Sequence, residues 1–193
     1  MTKLVPLFGL IYIAVASAAL YGQPSQRDGP RYDGMRLVRP AEYREWPFLG
    51  AGLGLTYDAE PSNAAPRFTN VFVNPSSYRS FMETGAWPNE TIFVLESRRS
   101  ETNAAPNVGG RFQGEQLGLE AEVKDRRFPD GWAFFNFGQV PALSAAAAPL
   151  TGTAVGACVE CHTQHTAVER TFVQFYPTLL EVARRKGTLK PGF

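Results

Sequence analysis

Thiols are almost absent from this chain of 193 residues: it has two cysteines, Cys158 and Cys161, three positions apart. A framework of several disulfides is excluded, and any thiol chemistry must use this one pair. Histidine is equally scarce, with only His162 and His165, which limits the imidazoles available to a metal. There are four lysines, Lys3, Lys124, Lys186 and Lys190. The formal net charge is +1, so the chain lacks the basic excess expected of a protein that binds nucleic acid or a polybasic-seeking membrane surface. Beyond the N-terminal segment no apolar run is long enough to span a bilayer. No internal repeat is present. The hydrophobic content of 44% with 12% aromatic residues is that of an ordinary globular chain, long enough for one domain with a sizeable core.

What is present is concentrated in five residues. Cys158-Val159-Glu160-Cys161-His162 spells C-x-x-C-H, the string by which haem c is attached: two thiols add to the vinyl groups of one porphyrin and the adjacent imidazole reaches its iron. One covalent haem c per chain is the expectation, with Cys158, Cys161 and His162 as cofactor-binding residues and His162 as the metal ligand. Three other readings stand beside it. A Cys158–Cys161 disulfide suits an oxidising compartment but has no need of His162. A thioredoxin-like pair belongs early in a βαβ unit, not near a C-terminus. A zinc site of Cys158, Cys161, His162 and His165 is more compressed than the separated ligand pairs of structural zinc modules.

Haem c is attached outside the cytoplasm in bacteria, and the N-terminus carries a matching signal. Lys3 precedes an apolar run from Leu4 to Ala16, and Ala16-Ser17-Ala18 fits a cleavage site. Residues 1–18 are expected to be a signal peptide and the protein to be periplasmic. The alternative is an uncleaved membrane anchor, because the run reaches Leu20 and approaches the ~18 residues a span needs.

Gln23 to Asp33 is polar and rich in proline and glycine, and residues 19–36 are expected to be a mobile leader before a single domain over 37–193. Along that domain the pattern predicts a short helix over 40–46, strands over 48–57 and 68–73, and a helix between Asn74-Pro75 and Gly85. Strands follow over 91–97, 111–123 and 132–137, then a helical turn over 142–148. A long helix is expected over 166–186, with Phe172, Phe175, Leu179 and Val182 along one stripe. The fold class is α+β.

A C-terminal haem motif behind a body of strands resembles the cytochrome P-460 family, including its gas-binding cytochrome c′-beta branch. The resemblance runs from about Pro40 to Lys186. It rests on Tyr43-Arg44-Glu45-Trp46, Val71-Phe72-Val73-Asn74-Pro75 with Tyr78 and Thr84-Gly85, Gly118-Leu119-Glu120-Ala121 and Trp132-Ala133-Phe134-Phe135. The haem motif and Phe172-Val173-Gln174-Phe175-Tyr176-Pro177 complete it. It implies an antiparallel sheet with flanking helices, a C-terminal haem c-bearing helical segment, His162 as proximal ligand and a homodimer. Named enzymes of the family oxidise hydroxylamine and carry a lysine bonded to the porphyrin edge; Leu95 stands at the matching position and cannot make that bond. Thr69 matches the family's distal arginine. Glu120 matches its pocket carboxylate, the implied proton donor or acceptor, although by strand alternation it reads equally well as a solvated glutamate.

His165 lies one helical turn beyond His162 and cannot reach the opposite face of a haem. Met35 and Met82 are unsupported as distal ligands. A five-coordinate iron with an open distal site is therefore expected, suited to nitric oxide or another small nitrogen oxide. Candidates for the distal lining are Thr69, Phe72, Phe93, Leu95, Phe135 and Phe137, each aromatic being equally readable as core. Two other classes remain: a hydroxylamine or nitrogen-oxide oxidoreductase using Glu120 as base, and a periplasmic electron carrier serving a redox partner.

Overall fold

The computed structural model describes residues 28–55 and 65–193. The expected signal peptide, and the leader as far as residue 27, lie outside the described residues. An antiparallel sheet of five strands dominates, in the order β3 (Phe48–Leu53), β4 (Arg67–Val73), β5 (Thr91–Glu101), β6 (Phe112–Lys124) and β7 (Trp132–Gln139). A smaller sheet joins β1 (Tyr32–Asp33), β2 (Arg36–Val38) and β8 (Ala146–Ala147). Three α-helices, α1 (Pro75–Thr84), α2 (Thr153–Gln164) and α3 (Pro177–Lys186), complete the α+β architecture among the described residues.

Because side chains alternate along a strand, the large sheet has two faces, and each carries a core. The row Phe72, Val94, Ala121 and Phe135 points to one face, where Leu37, Tyr43 and Phe137 cover it. The row Val73, Phe93, Glu122 and Phe134 points to the other. There Val73 and Phe93 pack with Phe81 of α1, Leu179 and Val182 of α3, and Trp87. Trp87 stacks on Phe81 at 4.1 Å and meets Phe93 edge-on at 4.7 Å, two contacts worth ~0.5–1.5 kcal/mol each beyond area burial. The α1 and α3 helices therefore cover only the Val73–Phe93 end of this second face.

Several expectations need correction. Residues 28–36 belong to the fold rather than to a leader: β1 and β2 pair there, and Asp28 caps α1 by accepting from the Ser76 backbone at 2.7 Å. Asn74 is the N-cap of α1 as expected, but its Oδ1 accepts from the Ile92 amide at 2.9 Å rather than from the helix. The alanines of 142–148 form no helical turn; Ala146 and Ala147 pair with Val38 and Leu37. Nor is 166–186 one helix. Glu169 adopts φ 50, Val173–Phe175 makes a single 3-10 turn, and α3 starts only at Pro177, where a missing N–H costs nothing in a first turn.

Candidate functional site

The C-x-x-C-H motif lies in α2, which starts abruptly after Gly152 at φ 60. Residues three and four apart share a helix face, so Cys158, Cys161 and His162 project together. No residue of α2 is buried: Ala154 and Ala157 are exposed, and Val155, Val159 and both free thiols are only partly covered. Instead the helix is held at its C-terminal end. The Thr166 hydroxyl donates to the His162 carbonyl at 2.5 Å, and the Lys190 ammonium donates to the Thr163 carbonyl at 3.0 Å and to Thr166 Oγ1 at 2.8 Å. A cation at a helix C-terminus also matches its dipole.

His162 is the best-anchored group of the motif. Its Nδ1 lies 2.8 Å from the Arg170 carbonyl oxygen, which accepts the proton and leaves Nε2 as the lone-pair nitrogen. Phe134 and Phe172 meet the imidazole edge-on, each with ring centroids 4.8 Å away. Glu122 Oε1 stands 3.2 Å from the same Nδ1. These contacts seat α2 against the sheet face that carries Glu122 and Phe134.

Along that face, beyond the second core, runs the cross-strand row Val71, Leu95, Glu120 and Asn136, with Thr69 one row further on. Asn136 Nδ2 donates to Glu120 Oε1 at 3.2 Å. Glu120 reaches solvent, yet protein crowds its carboxyl enough that lost solvation pushes its pKa up, while Arg67 pulls it partway back. The Glu120 and Glu122 charges, with burial as the larger cause, push the Cys158 thiol up.

Among the residues anticipated from sequence, Thr69, Phe93, Leu95 and Glu120 thus share the face of the sheet against which α2 sits, although Phe93 is buried in the second core. Phe72, Phe135 and Phe137 do not. They belong to the core on the opposite face, because a one-residue step along a strand inverts the side chain. Sequence reading missed Glu122, Phe134 and Phe172 as neighbours of His162. Alternation already placed Glu122 beside Glu120; what it could not supply was the fold-back of Arg170 and Phe172 onto the imidazole.

The residues fit a covalently held haem. Two thiols and an imidazole with an available nitrogen share one face of a helix that buries nothing else, beside a sheet surface of valine and leucine. A reactive disulfide pair needs a lowered thiol pKa, typically at a helix N-terminus, whereas Cys158 lies mid-helix and is shifted upward. Among the described residues no group of three or more His, Cys, Asp or Glu side chains is placed to hold a metal ion, against the zinc reading.

Fold and site together define a haem-binding cytochrome. The family model Cytochrome P460 matches residues 40–173, which span the sheet and the whole motif, and the chain belongs to that family. Among curated proteins, none matches the chain. No helix among the described residues is long and apolar enough to cross a membrane.

Proposed function

We propose that this is an exported, periplasmic mono-haem c protein whose open distal site binds or handles nitric oxide and related small nitrogen oxides. The observation that carries the reading is Leu95 in the row between Val71 and Glu120, where the crosslinked enzymes have an amine. Among the described residues no lysine stands in that row. Lys124, further along β6, donates to Glu169 and to the Trp87 carbonyl, and Lys190 holds the end of α2.

Cys158 and Cys161 would hold the haem and His162 would ligate its iron, which when bound supplies a ligand position and a reversible electron. The chain's own part is then orientation and exclusion. The Arg170 carbonyl fixes the imidazole tautomer, as partners of ligating histidines generally do. Val71 and Leu95 keep the neighbouring surface apolar, which disfavours ligands that need strong hydrogen-bond donors. Glu120, with Asn136 beside it, is the group there that can hold or pass a proton.

Hydroxylamine oxidation is the second reading, favoured by the upward-shifted Glu120 carboxyl, since a general acid or base works best with a pKa near ambient pH. An electron carrier is less well supported. Met82 packs against the second core and Met35 is exposed, so neither has a motive to act as a sixth ligand. A homodimer is part of the proposal. Phe48 and Leu53 are exposed on β3, an edge strand among the described residues, and a second copy would cover them.

The deciding experiment is the optical and electron-paramagnetic spectrum of the purified protein before and after nitric oxide. High-spin five-coordinate signals that convert on adding nitric oxide support the proposal. Sharp six-coordinate bands that ignore the gas support the electron carrier. Consumption of hydroxylamine with a stoichiometric electron acceptor, abolished in Glu120→Ala, supports the enzyme.

A further inference from the structure

Glu122 is an oddity in its own row. It lies near the C-terminal end of β6 between Phe93 and Phe134, both apolar, and its side chain is 11% exposed. Its Oε1 is buried and makes no aligned hydrogen bond. Burying a polar oxygen without a partner is costly, and a leucine would fill the same space without that cost. Packing alone therefore gives no reason for a carboxyl here. The atom it faces does: Oε1 is 3.2 Å from Nδ1 of His162.

The Nδ1–H already has one acceptor, the Arg170 carbonyl at 2.8 Å. Glu122 Oε1 is a second oxygen near the same nitrogen, within hydrogen-bond distance but too poorly aligned to be the main bond. The Arg170 guanidinium closes the cluster, because its Nη1 is also buried without a partner and its charge acts on both Glu122 and His162. Phe134 and Phe172 wall in the imidazole from the side. With two oxygens this close to Nδ1, a change in either one is felt by the ring.

We propose that Glu122 is a positioning residue of the axial histidine: with the Arg170 carbonyl it shares the Nδ1–H of His162, fixing the ring and making Nε2 a stronger electron donor. This rests on His162 being the haem ligand. A more basic imidazole stabilises the oxidised metal and lowers its potential. Whether ionised or not, Oε1 offers a lone pair to this proton.

The test uses the haem-loaded full chain, comparing wild type with Glu122→Gln and Glu122→Leu. The readouts are the midpoint potential and the iron–imidazole stretching frequency of the reduced protein. Glu122→Leu is expected to raise the potential and lower the frequency, and Glu122→Gln, which keeps an oxygen at the same place, to shift both less in the same directions. A purely structural role would change the melting temperature and leave both readouts at wild-type values in both variants; that result overturns the inference. Wild-type protein that retains no haem after denaturation would instead overturn the haem reading beneath it, and the inference with it.

Discussion

Leu95 and Glu120 are direct cross-strand partners on β5 and β6, so the one ionisable group of this row lies beside an aliphatic side chain rather than an amine. Under the proposed function, the pairing would separate binding from proton chemistry. Glu120→Leu is expected to leave nitric oxide affinity within about tenfold of wild type, roughly 1.4 kcal/mol, and to remove any hydroxylamine turnover. Gas titration and an acceptor-coupled assay on the same preparation check both halves.

The opposite face holds a buried carboxylate whose job is stability. Glu96, 2% exposed, accepts from the Tyr43 hydroxyl at 2.8 Å, Arg44 Nε at 3.0 Å, Arg98 Nη1 at 3.1 Å and Asn70 Nδ2 at 3.2 Å. Burial alone would raise its pKa; the bonds from Arg44, Tyr43 and Asn70 outweigh that and hold it below the usual carboxylate range. A lowered folded-state pKa contributes stability above the unfolded value of ~4.3, and loses it as pH falls through the folded value. Glu96→Gln should cost about 1.5–3 kcal/mol near neutral pH. Urea unfolding from pH 7 to pH 3 should show the gap to wild type narrowing as acid is added.

Gly85 ends α1 at φ 75, and a Cβ there would lie 2.7 Å from Lys186 Cβ and 2.9 Å from Thr188 Oγ1. Left-handed backbone alone costs an alanine ~1–2 kcal/mol, and the clash with the end of α3 adds to it. Thermal melts of Gly85→Ala should fall by several degrees, roughly 2–8 °C per kcal/mol for domains of ordinary size.

Lys190 reaches from the C-terminal tail to the Thr163 carbonyl near the end of α2 and to the Thr166 hydroxyl. Lys190→Met should free that end of the helix at a cost of about 0.3–1 kcal/mol. Hydrogen exchange should report it locally, with faster exchange over 161–166 and unchanged rates in β5 and β6.

The strands were legible where β-branched and aromatic residues concentrate, as over Phe68–Val73 and Thr91–Ser97, but their faces were not, and of the candidate site only the C-x-x-C-H string could be read. Propensity misled where tertiary contacts override it. The alanines before Pro149 favour a helix in isolation, yet pair with Leu37 and Val38 because that edge of β2 needs hydrogen-bond partners. The stripe from Phe172 to Val182 looked continuous because periodicity ignores Pro177; Leu179 and Val182 do enter the core, while Phe172 packs on His162. Phe72, Phe135 and Phe137 were plausible haem neighbours by composition alone, and only the register assigns them to the far face. Glu122 could not be recognised beforehand, since its partner comes from 40 positions away by a loop with no periodic signal.

The most direct measurement is the intact mass and colour of the exported chain after denaturation, alongside a Cys158→Ser, Cys161→Ser double variant. A pigment that travels with the wild-type polypeptide and is absent from the double variant is the predicted result. Colourless wild-type chain of unmodified mass, from cells with working attachment machinery, would contradict the account.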